Sequence, residues 1–366
     1  MILYLGTFLF LAILTYLSVY AKSINTNKIV QIILFTILFV IAGFKNEGVS
    51  VDDLSYKYSF YLFGSPEEFF TNFLTWAFYE PMYYLIPSLY KTYLFPNEFT
   101  LATFVTYAAI SIYFKFRSIN YLSEFFIASL LAYFSFLYFL HEFTQIRAGL
   151  VSSIMLYSVK YLYEKKKIKF IIAIAIATLF HYSSLLFLPL LFLDTKKSKK
   201  KIYSVLIVLS LIFSLIDTYF LIRLLPFDIS FITLKADNYI NLNNAGKDEV
   251  INKFNTNYLL VIFTSIVYVY FWEKIEAQNK YSIILIKMQI ISIFLFQVFS
   301  SIPAFAFRSS ELYLVSTIIT YPFIIYLFKN RTVGFIVFIM LCSIQFYINL
   351  FRHELVQPYQ FIFFNQ

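Results

Sequence analysis

Two arginines and one histidine carry most of the chemistry that this sequence can offer. Arg147 heads an apolar segment in Gln145-Ile146-Arg147-Ala148-Gly149, and Arg308 sits in Ala306-Phe307-Arg308-Ser309-Ser310. A guanidinium is permanently charged and presents a planar fork that matches phosphate oxygens, so two of them on one side of a protein suit a diphosphate. Gly149 leaves room for a neighbouring segment to come close. His181, between Leu179-Phe180 and Tyr182-Ser183-Ser184, can take a proton from an alcohol near neutral pH. The carboxylates that could join them are Glu80, the trio Glu47, Asp52 and Asp53 in the first polar break, and Glu142 beside His141. Each has a plainer reading: a snorkelling arginine at headgroup level, a helix-capping histidine, a solvated acid. Arg223 and Arg352 lie at segment ends, where snorkelling is ordinary.

Other chemistries find little support. The three histidines, His141, His181 and His353, are isolated, with no HExxH spacing, and the single cysteine, Cys342, lies in an apolar run. No metal site and no disulfide framework is expected. The absence of a phosphate-cradling glycine loop argues against an ATP-driven pump, and the absence of a chain of acids within apolar segments argues against an ion-coupled transporter.

The elements that must position these residues are membrane helices. Of 366 residues, 60% are hydrophobic and only 13% charged, against about a quarter charged in soluble domains. A spanning helix needs roughly 20 apolar residues, and about a dozen such windows occur. Strand alternation with polar lumen positions is missing, which argues against a membrane β-barrel. The expectation is an all-α polytopic bundle of about 10–12 transmembrane helices forming one domain over residues 1–366. Net charge is +9, but the basic residues concentrate in short loops, a positive-inside signal and not a nucleic-acid footprint. Lys22 and Lys28, Lys115 and Arg117, Lys165 to Lys169, Lys196 to Lys201, and Lys329 with Arg331 should all face the cytoplasm. Placing both strong lysine runs inside requires the block Ile168–Leu193 to break at His181 into two short limbs, with the histidine at the outer turn. Trp76 to Phe95, with Pro81, Pro87, Glu80 and Lys91, makes a poor spanning helix and is predicted to be re-entrant or interfacial. Two longer outer-face loops are predicted at about 45–98 and 226–257. Some of the abundant Tyr residues could line a sugar path, since aromatic faces suit the apolar faces of sugar rings.

Taken in order, these pieces resemble the Wzy/EpsG-type polymerases of bacterial surface polysaccharide. The resemblance lies in the early acidic loop Val49-Ser50-Val51-Asp52-Asp53-Leu54-Ser55-Tyr56 and in Tyr79-Glu80-Pro81-Met82-Tyr83-Tyr84. It continues through Gln145, Arg147 and Gly149, through Phe180 to Ser183, and through Arg308 followed by Tyr313, to Pro358-Tyr359. Lys45-Asn46-Glu47-Gly48 stands where the family often carries an Arg and a Gly before the acid. The resemblance implies a GT-C-like glycosyltransferase on the outer face of the bacterial inner membrane, with undecaprenyl-diphosphate-linked oligosaccharide as donor and acceptor. It implies Arg147 and Arg308 at the diphosphate, His181 as base or hydroxyl-orienting group, and acceptor contacts at Glu80 and Asp53. Further substrate contacts would come from Gln145, Tyr182 and Tyr313. The energy resides in the lipid diphosphate bond, so no cofactor or metal is implied. A chain-length regulator and a flippase are the implied partners. A ligase that moves finished glycan to another acceptor would use the same chemistry; a repeat-unit flippase is the alternative from another class.

Overall fold

The computed structural model describes residues 1–21, 23–76, 78–216, 252–301 and 303–364, and among them the chain is helical, with no β-sheet. The principal helices are α1 (Ile2–Tyr20), α2 (Lys28–Gly43), α3 (Asp53–Leu62), α4 (Pro81–Leu89), α5 (Phe99–Leu122), α6 (Phe126–Phe136) and α7 (Ile146–Tyr163). They continue as α8 (Lys167–Phe180), α9 (Lys200–Ser214), α10 (Thr256–Tyr270), α11 (Ser282–Val298), α12 (Pro303–Leu314) and α13 (Arg331–Tyr347). Of these, α1, α5 and α13 with its π-turn extension to Arg352 are long and apolar enough to cross a bilayer alone, and α12 joins the Thr317–Leu327 stretch as a broken span bent by 42°. Shorter apolar helices make up the rest of the bundle. The predicted outer loop at 226–257 lies almost wholly outside the described residues, as does Arg223.

Local chemistry explains where helices begin. Asn27 caps α2 by accepting from the Ile29 and Val30 amides at 2.9 and 3.3 Å, Asn255 caps α10, and Asn330 caps α13. A capping amide of this kind satisfies donors that have no partner within the helix. The polarity of α1 is inverted relative to a soluble helix: Thr7, Thr15 and Ser18 are buried while Leu9 and Ile13 are exposed. The buried hydroxyls of Thr7 and Thr15 donate to carbonyls one turn back, at 2.8 and 2.7 Å, which lets them sit in apolar surroundings. An apolar exterior is what a lipid-facing helix requires.

The basic loops gather at one end of the bundle. Lys196 lies 5.3 Å above the Tyr163 ring, Tyr163 packs on Tyr281, and Lys200 pairs with Glu273. The Asn279 side chain donates to the Leu122 carbonyl at 2.7 Å. The block after Lys167 therefore returns to the end it left, as the hairpin expectation requires. Its limbs are α8 and a 3-10 helix over Tyr182–Phe192. At 1.5 and 2.0 Å per residue these limbs are about 21 and 22 Å long, short of a ~30 Å hydrocarbon core.

At the opposite end, the predicted first loop is a folded layer. It contains α3, a short helix Pro66–Thr71 and α4, which runs into a π-turn at Tyr90–Leu94 and stops. From Pro81 to Leu94 this element is about 21 Å at helical rise, too short to cross, in line with a re-entrant or interfacial helix. A strap from Val356 to Ile362 lies across the layer, pairing Lys45 with Phe361 and Ser50 with Val356.

One charge departs from its expected place. Lys115 is not in a basic loop but inside α5, fully buried, where it pairs with Glu142 and donates to the Gly149 carbonyl at 3.2 Å. Glu142 also accepts from Ser111 at 3.0 Å and Tyr133 at 2.6 Å. Loop counting misplaced Lys115 because α5 runs on to Leu122, well past the apolar window that ends at Phe116.

Candidate active site

The site is organised around one carboxylate. Glu80 precedes Pro81, whose fixed φ sets the entry into α4. Its side chain is only 7% exposed and serves two partners. Oε2 accepts from Arg147 Nη1 at 2.7 Å, and Oε1 accepts from His181 Nδ1 at 2.6 Å. Arg147 comes from the first turn of α7 and His181 from the hairpin turn, 67 and 101 positions away in sequence. Three segments converge on one ion.

Arg147 reaches this position because the chain before it makes a tight bend. A π-turn over Phe139–Thr144 ends at Gln145, and Gly149 lies against the turn: a Cβ there would meet the His141 carbonyl carbon at 2.8 Å. The guanidinium then lies over the Tyr83 ring at 4.1 Å, with Tyr56 at 6.0 Å. Aromatic faces attract a cation of this kind and fix its plane.

Electrostatics set the protonation states. Burial opposes charge on Glu80, but the hydrogen bond from His181 and the Arg147 guanidinium overcome it and hold the carboxyl at about 2. Burial lowers the His181 pKa below its ordinary value; Glu80 pulls it back in part, while Arg147 and Arg308 push the same way as burial. His181 is therefore neutral at neutral pH. With an ionised carboxylate on Nδ1, the ring proton sits on Nδ1, and Nε2 keeps its lone pair. The histidine side chain is 16% exposed, so that lone pair is within reach of a substrate.

Arg308, exposed on α12, is near enough to His181 to disfavour its charge and makes no salt bridge among the described residues. One turn further on, Glu311 lies within reach of Gln145, and among the described residues its Oε2 is buried without a hydrogen-bond partner. Sequence reasoning missed Glu311. Its signal was an acid three positions after Arg308, on the same helix face, in a run that is otherwise almost uncharged. Tyr182, at the head of the 3-10 limb, lies within electrostatic reach of Glu80. Tyr313 braces the limb from the far side: its hydroxyl donates to the Leu186 carbonyl at 2.6 Å and its ring packs on Phe187. Asp53 does not join the cluster. It is buried against Lys45 and accepts from the Ser50 amide at 2.9 Å, while its neighbour Asp52 is the acid that feels Arg147. His141 is buried beside Ser152, and Arg352 donates to Thr256 at 3.0 Å.

A family model described as the EpsG family matches residues 28–361, a span that contains every residue of the cluster. The chain belongs to the EpsG family. EpsG-family membership bears out the resemblance read from the sequence and makes this a polysaccharide-polymerase-like membrane protein. No match was found among curated proteins or among solved structures. For this EpsG-family chain, the arrangement of Glu80, Arg147 and His181 offers a neutral imidazole beside fixed positive charge, which is the pairing needed to move a proton from an alcohol while an anion departs.

Proposed function

We propose that the chain polymerises oligosaccharide repeat units carried on undecaprenyl diphosphate, at the end of the bundle opposite the basic loops, facing out from the bacterial inner membrane. A hydroxyl at the non-reducing end of an incoming lipid-linked unit attacks the anomeric carbon of the growing chain. The new C–O bond forms as the bond from that carbon to the diphosphate breaks; the hydroxyl proton goes to His181 Nε2, and the electron pair leaves on the diphosphate. Arg308, in no salt bridge among the described residues, supplies positive charge for that anion, and Arg147 supplies the N–H groups that Glu80 does not occupy. Glu80 acts as a positioning residue, holding the tautomer of one partner and the plane of the other. Glu311 and Gln145 lie beside Arg308, where sugar hydroxyls need acceptors and donors.

The observation that carries this reading is the single carboxylate shared by an arginine and a neutral histidine. The test uses purified protein and a synthetic lipid-linked repeat unit, with product length as readout. His181→Ala should lose extension by about a hundredfold or more, the contribution of a positioned base. His181→Gln separates proton transfer from hydroxyl orientation: activity in Gln but not Ala means orientation, and loss in both means a base. Wild-type turnover from both variants refutes the assignment. A wild type that transfers a single unit to a different acceptor, with no ladder, points to a ligase; movement of intact units without bond formation points to a flippase.

A further inference from the structure

A cavity opens beside α3, on the side where Asp53, Lys57 and Tyr61 follow one another at one-turn spacing. It has a volume of about 150 Å³ and is lined by the buried Lys45–Asp53 pair, by Asn97, Glu98 and Thr100 before and at the start of α5, and by Tyr61. Pockets for drug-sized ligands run to roughly 300–1,000 Å³, so this one has room for a single ring. Its charge excludes a phosphate group as occupant. Lys45 is taken by Asp53 and Lys57 by Glu47, and the remaining charged side-chain type in the lining, Glu98, offers no cation.

The groups left to a ligand are of another kind. Among the described residues, the Asn97 amide, the Glu98 carboxylate and the Thr100 hydroxyl make no side-chain hydrogen bond or ion pair. Phe104 lines the cavity with an aromatic ring and lies 4.7 Å under Lys45, while the Tyr61 ring stands edge-on to Phe99 at 4.9 Å. An acceptor, an amide that both donates and accepts, a hydroxyl and aromatic faces, with no spare cation, match a neutral polyol ring. Asp52, within reach of both Lys45 and Arg147, places the cavity close to the proposed reaction centre.

We propose that this cavity is a glycan subsite that holds one sugar ring of the growing chain and so governs how many units are added before release. The proposal rests on the polymerase reading and names where that reaction keeps its product. The combined variant Asn97→Ala, Glu98→Gln, Thr100→Val removes the amide and the hydroxyl, neutralises the carboxylate, and touches none of Glu80, Arg147, His181 or Arg308; Glu98→Gln alone is the mild companion should the triple variant fold poorly. The probe is delipidated surface glycan from cells that make it, titrated onto the full-length detergent-solubilised protein, alongside the length ladder from the lipid-linked unit. Expected are about tenfold or greater weakening of glycan binding by the triple variant, several-fold by Glu98→Gln, an unchanged rate of the first linkage, and a ladder shifted to short products. Unchanged affinity in both variants overturns the subsite, whatever the ladder does, and weakened affinity with a full-length ladder overturns its role in chain length. A wild type that binds glycan but makes no ladder sinks the polymerase reading and leaves the subsite standing.

Discussion

Glu80→Gln is the most revealing single change. The carboxylate accepts from Arg147 on one oxygen and from His181 on the other, at 2.7 and 2.6 Å. Glutamine has nearly the same shape but only one acceptor oxygen, and its other terminus is a donor. A guanidinium cannot give up a proton, whereas an imidazole can exchange tautomers, so the amide oxygen will turn to Arg147 and the NH2 group to His181. His181 Nδ1 must then accept, its proton moves to Nε2, and the lone pair that would take the hydroxyl proton is gone. The loss should be the full worth of a general base, about 10²–10⁴ in rate, or roughly 3–5 kcal/mol of barrier. The pH profile adds a second mark. Glu80 is one of the groups that raise the His181 pKa against burial, so its charge removal should move the acid limb of any remaining activity to lower pH while the plateau falls. Polymerisation of a synthetic lipid-linked unit from pH 5 to 8 (about three units, bracketing free imidazole) measures both. A Glu80→Gln protein within about threefold of wild type, at matched folding, would show that the shared carboxylate sets no tautomer and would remove His181 from the chemistry.

Further outcomes follow from the same geometry. Arg147→Lys keeps the charge but loses the planar contact with Tyr83 and the guanidinium N–H groups beyond the one that reaches Glu80, so extension should fall about 10- to 100-fold, and a full product ladder would mark Arg147 as a snorkelling residue. Gly149→Ala drives a methyl group into the His141 carbonyl and should cost about 1–3 kcal/mol of stability, read as a lowered thermal midpoint in detergent, along with activity lost through Arg147. Single cysteines at Lys167 and Lys199, in a Cys342→Ser background, should resist an impermeant thiol reagent in intact cells whose outer barrier is opened, whereas one at exposed Tyr58 should react; the reverse pattern defeats the orientation.

The parts of this site that were legible in the sequence are those whose chemistry is out of place locally. Arg147 and His181 stood out because charge and imidazole at the ends of apolar segments are expensive, and the break at His181 because only an even number of crossings keeps both lysine runs together. Glu80 was legible as a candidate but not as the shared partner, since its contacts lie 67 and 101 positions away and no local pattern encodes them. Asp53 shows the limit from the other side: an acid in an apparent loop gives no sign that Lys45 has already taken it. Lys115 and Glu142 mislead for the same reason, because charge counting cannot tell a solvated lysine from one buried against its counter-ion inside a helix.

The strap over the layer opposite the basic loops bears on how the protein is made. Tyr4 bonds to the Gln357 carbonyl across 353 positions, and the Asn46 amide donates to the Gln360 carbonyl at 2.8 Å. Contacts this distant in sequence are the last to form as a chain emerges from the ribosome and inserts, because the loop between them must close first. The helices can therefore be in place while the layer that carries Glu80 is still unfastened, and chains stalled before the strap would be inserted yet inert. A reporter fused beyond the strap would have to leave Gln357 and Gln360 their backbone partners, so placing one within the helix-connecting turns at the basic end is the safer route to a labelled, working protein.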